Sequence, residues 1–126
     1  MAIVGIGIDI VNICRIKKII KYSGSDFAKR ILSDNEWYEY LTKKNKINFL
    51  AKHFSAKEAA SKAFGTGMKY GIEFHNFEIY HDQHGKSKLK LLKNAQILAQ
   101  HIGIKYTHIN LTDEKKYACS IVIFEN

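Results

Sequence analysis

Residues 3–11 read Ile-Val-Gly-Ile-Gly-Ile-Asp-Ile-Val, an apolar run rich in β-branched side chains and therefore the pattern of a buried β-strand. Side chains alternate across a strand, so Val4, Ile6, Ile8 and Ile10 share one face while Gly5, Gly7 and Asp9 share the other. The two glycines strip that second face and let a helix or a ligand approach the backbone closely. Whatever packs there arrives beside Asp9. A lone acid ending a strand is ordinarily a cap or turn residue, so its meaning depends on a second acid.

That acid lies in a helical stretch from Ile47 to Phe64, where Phe49, Ala56, Ala60 and Ala63 fall on one stripe at 3.6-residue spacing. Such small side chains suit close packing on a sheet. Ser55, Glu58 and Lys62 are expected on the more polar side, with Glu58 and Lys62 neighbours four residues apart. Alone, that pair is an ordinary solvated ion pair worth about 0.3–0.5 kcal/mol. Gly65-Thr66-Gly67 then ends the helix, as glycine adopts left-handed backbone cheaply, and it matches neither glycine-rich nucleotide fingerprint. Two carboxylates, a lysine and a glycine turn together suit a magnesium-diphosphate site.

The remaining chain reads as helix from Asn12 to Lys21, a turn at Ser23 to Ser25 and two short helices, the second opened by a Ser33/Glu36 capping box. A basic loop, Lys43 to Lys46, leads into the long helix. Strands are expected at Phe74 to His81 and Ser87 to Leu92 around the Asp82-Gln83-His84-Gly85 turn, then a helix from Asn94 to His101. Tyr106 to Leu111 and Lys116 to Phe124 close the chain as a hairpin. This order predicts one α+β domain spanning residues 1–126, a largely antiparallel sheet covered by helices.

The net charge of +8 favours an acidic partner. Between Arg15 and Leu32 six basic residues face the single acid Asp26, so the positive patch follows directly on Asp9. Cys14 and Cys119 show no metal-ligand spacing and are expected as reduced core residues, and the six histidines form no compact ligand set. No long uncharged span or positively led leader is present, which predicts a cytoplasmic protein without a membrane segment.

Gly5-Ile6-Gly7-Ile8-Asp9-Ile10-Val11, Arg15-Ile16, Phe27 with Arg30-Ile31-Leu32, Phe49-Leu50-Ala51, Phe54-Ser55-Ala56-Lys57-Glu58-Ala59, Lys62-Ala63-Phe64-Gly65-Thr66-Gly67, Gly85-Lys86 and Tyr117-Ala118 together resemble the holo-acyl-carrier-protein synthase family of phosphopantetheinyl transferases. The likeness runs nearly end to end. It implies the 4′-phosphopantetheinyl transferase fold, and magnesium-dependent transfer of 4′-phosphopantetheine from coenzyme A to a serine of apo acyl carrier protein, releasing adenosine 3′,5′-bisphosphate in support of fatty acid biosynthesis. By motif position, Asp9 and Glu58 would hold Mg2+, and Glu58 and Lys62 would act in catalysis. Either Glu58 or a metal-bound water would take the serine proton. Lys62, Gly65, Thr66, Lys86 and Lys44 would serve coenzyme A as co-substrate. Arg15, with Lys18 and Lys21 at helix-neighbour spacings, would receive the acidic carrier. The likeness also implies a homotrimer with sites at subunit interfaces.

Three departures stand out. Lys52-His53 replace a glycine-arginine pair, Asn110-Leu111-Thr112-Asp113 replaces a stretch carrying a later histidine, and Ser87 replaces a proline. These first two positions serve mainly nucleotide and phosphate contacts in the family, so neither His53 nor Asp113 inherits such a role; an acid there would repel a phosphate. Lys86, Lys44 and Lys52 could compensate. The rival readings are a basic nucleic-acid-binding module stacking bases on Tyr80, Tyr106 or Tyr117, and the same fold acting on a peptide or polyketide synthase carrier. The resemblance favours acyl carrier protein and no nucleic acid.

Overall fold

The computed structural model describes residues 1–126. Strand β1 (Ile3–Asn12) leads into helix α1 (Ile13–Ser23), α2 (Ser25–Ile31), α3 (Asp34–Thr42) and the long α4 (Lys46–Phe64). A 3-10 turn (Phe74–Asn76), β2 (Phe77–His81), β3 (Ser87–Leu91), α5 (Lys93–Ile102), β4 (Tyr106–Asp113) and β5 (Tyr117–Glu125) complete the chain. All pairings are antiparallel, in a three-stranded sheet ordered β1-β5-β4 and a two-stranded β2-β3 ribbon. The expected α+β architecture is therefore present, divided between two sheets.

Gly5 and Gly7 decide how the halves meet. A Cβ built on Gly5 would lie 1.8 Å from the carbonyl oxygen of Ala63, and one on Gly7 1.7 Å from that of Ala59. Backbone of α4 thus occupies the space the glycines leave free. Ala56, Ala59, Ala60 and Ala63 face β5 residues Val122 and Phe124 in one apolar cluster, and Phe49, Leu50 and Ala51 join α1–α3 in a second.

The other face of β1 corrects the sequence reading. Ile6, Ile8 and Ile10 were expected to be buried, yet they are 56, 59 and 63 % exposed. An apolar run specifies a face that avoids water without specifying which molecule covers it. Register places Ile6 opposite Ile123 and Ile8 opposite Ile121, so the apolar surface continues onto β5. Cys119 shares that outward face and is half-buried, and Cys14 is exposed on the first turn of α1. Neither is a core residue.

Local boundaries follow hydrogen bonding. The Asn12 side chain accepts from the Cys14 amide at 2.9 Å, so Asn12 caps α1. The Asn76 side chain accepts from the Glu73 amide at 3.2 Å, folding residues 74–76 into a turn where strand was expected. Gly65, at φ +80°, ends α4 in the left-handed conformation anticipated for it.

His53 is buried in α4, its ring stacked on Phe49 at 3.9 Å. Its Nδ1–H donates to the Phe49 carbonyl at 2.8 Å, and Nε2 has no hydrogen-bond partner, with Glu36 Oε2 3.7 Å away. Burial pulls its pKa down to about 3. The unfolded chain, with a histidine pKa near 6.5, therefore binds the extra proton first as pH falls, and stability drops from about pH 6.5 downward by about 1.4 kcal/mol per unit. In urea titrations, His53→Gln should reduce the loss of stability between pH 7 and pH 5 by about 2 kcal/mol. An unaltered loss would place the proton uptake elsewhere.

Candidate active site

Asp9 reaches the site from β1, two residues beyond the Gly7 contact with α4. Glu58 and Lys62 reach it from α4, one turn apart. The Lys62 ammonium donates to Asp9 Oδ1 at 2.9 Å and to the Ile8 carbonyl at 3.1 Å. Burial raises the Glu58 pKa, the Asp9 charge raises it further, and Lys62 and Arg15 oppose both. Two carboxylates thus crowd a half-buried space in which Glu58 gives up its proton less readily than a free carboxyl, which is the electrostatic condition that a divalent cation relieves.

No group of three or more His, Cys, Asp or Glu side chains gathers as a metal cluster. Magnesium is suited by one or two protein carboxylates, with phosphate and water oxygens completing the shell. Asp9 and Glu58 fit that donor set.

Arg15 stands on α1 close enough to influence Glu58 electrostatically, joining the basic helix to the acid pair. Lys18 and Lys21 are exposed further along α1. Gly65 and Thr66 follow the end of α4. The Thr66 hydroxyl donates to the Gly67 carbonyl at 2.8 Å, and Thr66 lines a cavity of about 420 Å³ with Tyr70, Ile97 and Leu98. Lys86 is not gathered with Asp9 in the chain; it lines a separate cavity of about 240 Å³ with Ser87, His108 and Asn110, whose floor includes Ile121 and Ile123. Lys44 is exposed in the loop before α4, whereas its neighbour Lys43 lines a cavity of about 290 Å³ with Lys52, His81 and Ser87.

The unexpected acid at position 113 has partners. Lys52 Nζ lies 3.6 Å from Asp113 Oδ1, and Asn48 Nδ2 donates to Oδ2 at 2.9 Å. Its charge is locally answered, and Lys52 is correspondingly engaged.

Ser55 is not on a solvated side. It is fully buried, its hydroxyl 2.6 Å from that of Ser120 on β5. Sequence reasoning also missed Lys57 and Glu36, which form a wholly buried pair at 2.5 Å. The available signal was a lysine four residues after His53 and three before Ala60, inside the apolar stripe of α4.

The 4′-phosphopantetheinyl transferase superfamily model matches residues 5–122. The chain belongs to this superfamily. It is 50 % identical to the holo-[acyl-carrier-protein] synthase of Erwinia tasmaniensis over 126 residues, covering 100 % of both chains. The crystal structure of the Neisseria meningitidis holo-[acyl-carrier-protein] synthase superposes with a TM-score of 0.95 at 36 % identity, across 99 % of this chain and 100 % of the other. A Bacillus anthracis synthase in complex with CoA (3′,5′-ADP) gives 0.81 at 33 % identity, over 97 % of this chain and 96 % of that one. The chain is thus a phosphopantetheinyl transferase of the holo-[acyl-carrier-protein] synthase type with that fold. No helix of the transferase is long and apolar enough to cross a membrane.

Proposed function

We propose that this transferase moves 4′-phosphopantetheine from coenzyme A to a serine of apo acyl carrier protein in a magnesium-dependent reaction that serves fatty acid biosynthesis in the cytoplasm. The convergence of Asp9, Glu58 and Lys62 carries the reading, supported by the synthases it resembles, one of which was solved with coenzyme A. The serine oxygen attacks the pantetheine-bearing phosphorus, the diphosphate P–O bond breaks, and adenosine 3′,5′-bisphosphate leaves. Glu58, its pKa raised, is suited to accept the serine proton. Lys62, anchored on Asp9 and the Ile8 carbonyl, supplies a fixed positive charge for the leaving phosphate. Mg2+ held by Asp9 and Glu58 would polarise the diphosphate and offset its negative charge.

Assembly as a homotrimer fits the outward apolar face. The Lys86 cavity shares Ile121 and Ile123 with that face, so a neighbour docking there could bring one subunit's Lys86 and Ser87 toward another's Asp9. Gly65, Thr66 and Lys44 then bear on the remainder of coenzyme A.

The carrier approaches α1 through Arg15, Lys18 and Lys21. Arg15→Glu should raise the carrier KM in low salt several-fold and flatten its salt dependence. An unchanged KM would remove Arg15 from the interface. The reaction itself is tested by intact-mass spectrometry of apo carrier incubated with the protein, coenzyme A and magnesium. Addition of one phosphopantetheine unit, absent without metal and with Asp9→Ala, supports the reading; no addition to a carrier that a known synthase modifies overturns it.

A further inference from the structure

We propose that the buried Lys57–Glu36 pair is a positioning device that sets the rotation of α4 and so aims Glu58 at Asp9. The inference rests on the site reading above, in which Glu58 and Asp9 act together.

Lys57 and Glu36 are 0 and 1 % exposed. Glu36 Oε1 accepts from Lys57 Nζ at 2.5 Å and from the Ser33 amide at 2.8 Å, while Oε2 accepts from the Ile79 amide at 2.8 Å. Lys57 Nζ also donates to the Ile31 carbonyl at 2.6 Å. The pair therefore joins α4 to the end of α2, the start of α3, and β2. Ser33 extends the network, donating from its hydroxyl to Glu78 Oε1 at 2.7 Å.

A buried ion pair is a poor stabiliser, since desolvation offsets much of its attraction and apolar replacements are often as stable. Burial indeed lowers the Lys57 pKa, and the Glu36 charge works against that fall. What the pair provides in addition is direction. Lys57 and Glu58 are adjacent on one helix and project about 100° apart. On the Asp9 side, the Gly5 and Gly7 contacts fix how closely α4 approaches β1, and the rings of Phe54 and Phe64, a turn or more from Glu58, pack against Phe27, Phe74, Phe77 and Phe124. Lys57 adds the directional, charged tie that lies one residue from Glu58. At a side-chain radius of about 6 Å, a rotation of about 10° shifts a carboxylate by about 1 Å. Such a displacement can reduce a rate about 100-fold.

The test compares wild type with Glu36→Gln/Lys57→Met, which removes both charges without stranding either. Circular dichroism establishes the fold, calorimetry with magnesium alone gives metal affinity, and steady-state assays separate kcat from KM. The expected result is a folded protein whose magnesium affinity falls at least fivefold and whose kcat falls 10- to 100-fold, with the carrier KM within twofold. A folded double variant with wild-type magnesium affinity and kcat overturns the proposal. Should that protein fail to fold, Lys57→Arg keeps the charge and tests the same alignment with a bulkier head. Reduced magnesium affinity and kcat in folded Lys57→Arg support the proposal, and wild-type values overturn it. If wild type binds magnesium but modifies no carrier, the functional reading fails separately, while the binding comparison still decides the positioning role.

Discussion

Glu58→Gln is expected to lower transfer by about 10²–10⁴-fold while leaving the metal-free fold at least as stable as wild type at neutral pH. The amide preserves the length of the side chain and its place on α4, but it loses a proton acceptor and a charged metal ligand. Magnesium affinity should fall with turnover. The stability effect has the opposite direction because burial and Asp9 raise the Glu58 pKa in the folded protein. For a carboxyl raised in this way, the folding contribution is most favourable below its unfolded pKa and is lost as pH rises through the folded value. Gln removes that dependence. In thermal denaturation without metal, the variant should melt above wild type at pH 7.5, and the difference should close as pH falls below about 4.3. Near-normal turnover in the purified variant would remove both roles assigned to Glu58.

Gly7→Ala should be the most damaging small substitution in the chain. Its added methyl would meet the Ala59 carbonyl oxygen at 1.7 Å, with the Ala63 amide nitrogen at 2.7 Å. Both atoms belong to the backbone of α4, so no rotamer change relieves the clash. Either β1 or α4 must move, and the expected cost is about 3 kcal/mol or more. Asp9 stands two residues along the same strand, so any protein that does fold should also lose magnesium affinity. Gly103→Ala provides a contrast: a Cβ there meets nothing within 4 Å, although φ is +83° and the backbone is left-handed. Its effect should stay near about 1 kcal/mol, the ordinary cost of side-chain strain in that backbone region. Chemical denaturation of both proteins measures the difference. Equal, small losses would mean that the β1–α4 contact is more compliant than its geometry indicates.

The parts of the site that were legible in the sequence are those governed by short periods. Alternation placed Asp9 on the glycine face of β1, and helical spacing placed Glu58 beside Lys62. The glycine turn and the Ser33/Glu36 capping box are equally local, and both form where expected. Longer-range partners were not legible. Ser55 was read as solvated because its hydroxyl partner, Ser120, is 65 residues away. Lys57 was passed over because a lysine signals solvent unless a buried acid is known, and that acid was already explained by its role as a helix cap. The isoleucines of β1 show a different limit: alternation separates two faces, but one chain's pattern does not name what covers each.

The order β1-β5-β4 has a consequence for the birth of the protein. The first strand pairs only with the last: the Ala2 amide donates to the Asn126 side chain at 2.8 Å, and the Asn126 amide returns a bond to the Ala2 carbonyl at 3.0 Å. During synthesis β1 emerges first and has no sheet neighbour until residues 117–125 have left the ribosome. Such distant pairing raises contact order and slows folding. Asp9 therefore cannot take its final station opposite Ser120 until β5 has emerged, and a nascent chain stalled short of β5 would carry the acid pair without the scaffold that aligns it. The pairing of Ala2 with Asn126 also makes this domain a natural candidate for circular permutation. Joining the ends and reopening at the exposed His84-Gly85 turn would make β1 and β5 consecutive, converting the most distant pairing in the protein into a local hairpin.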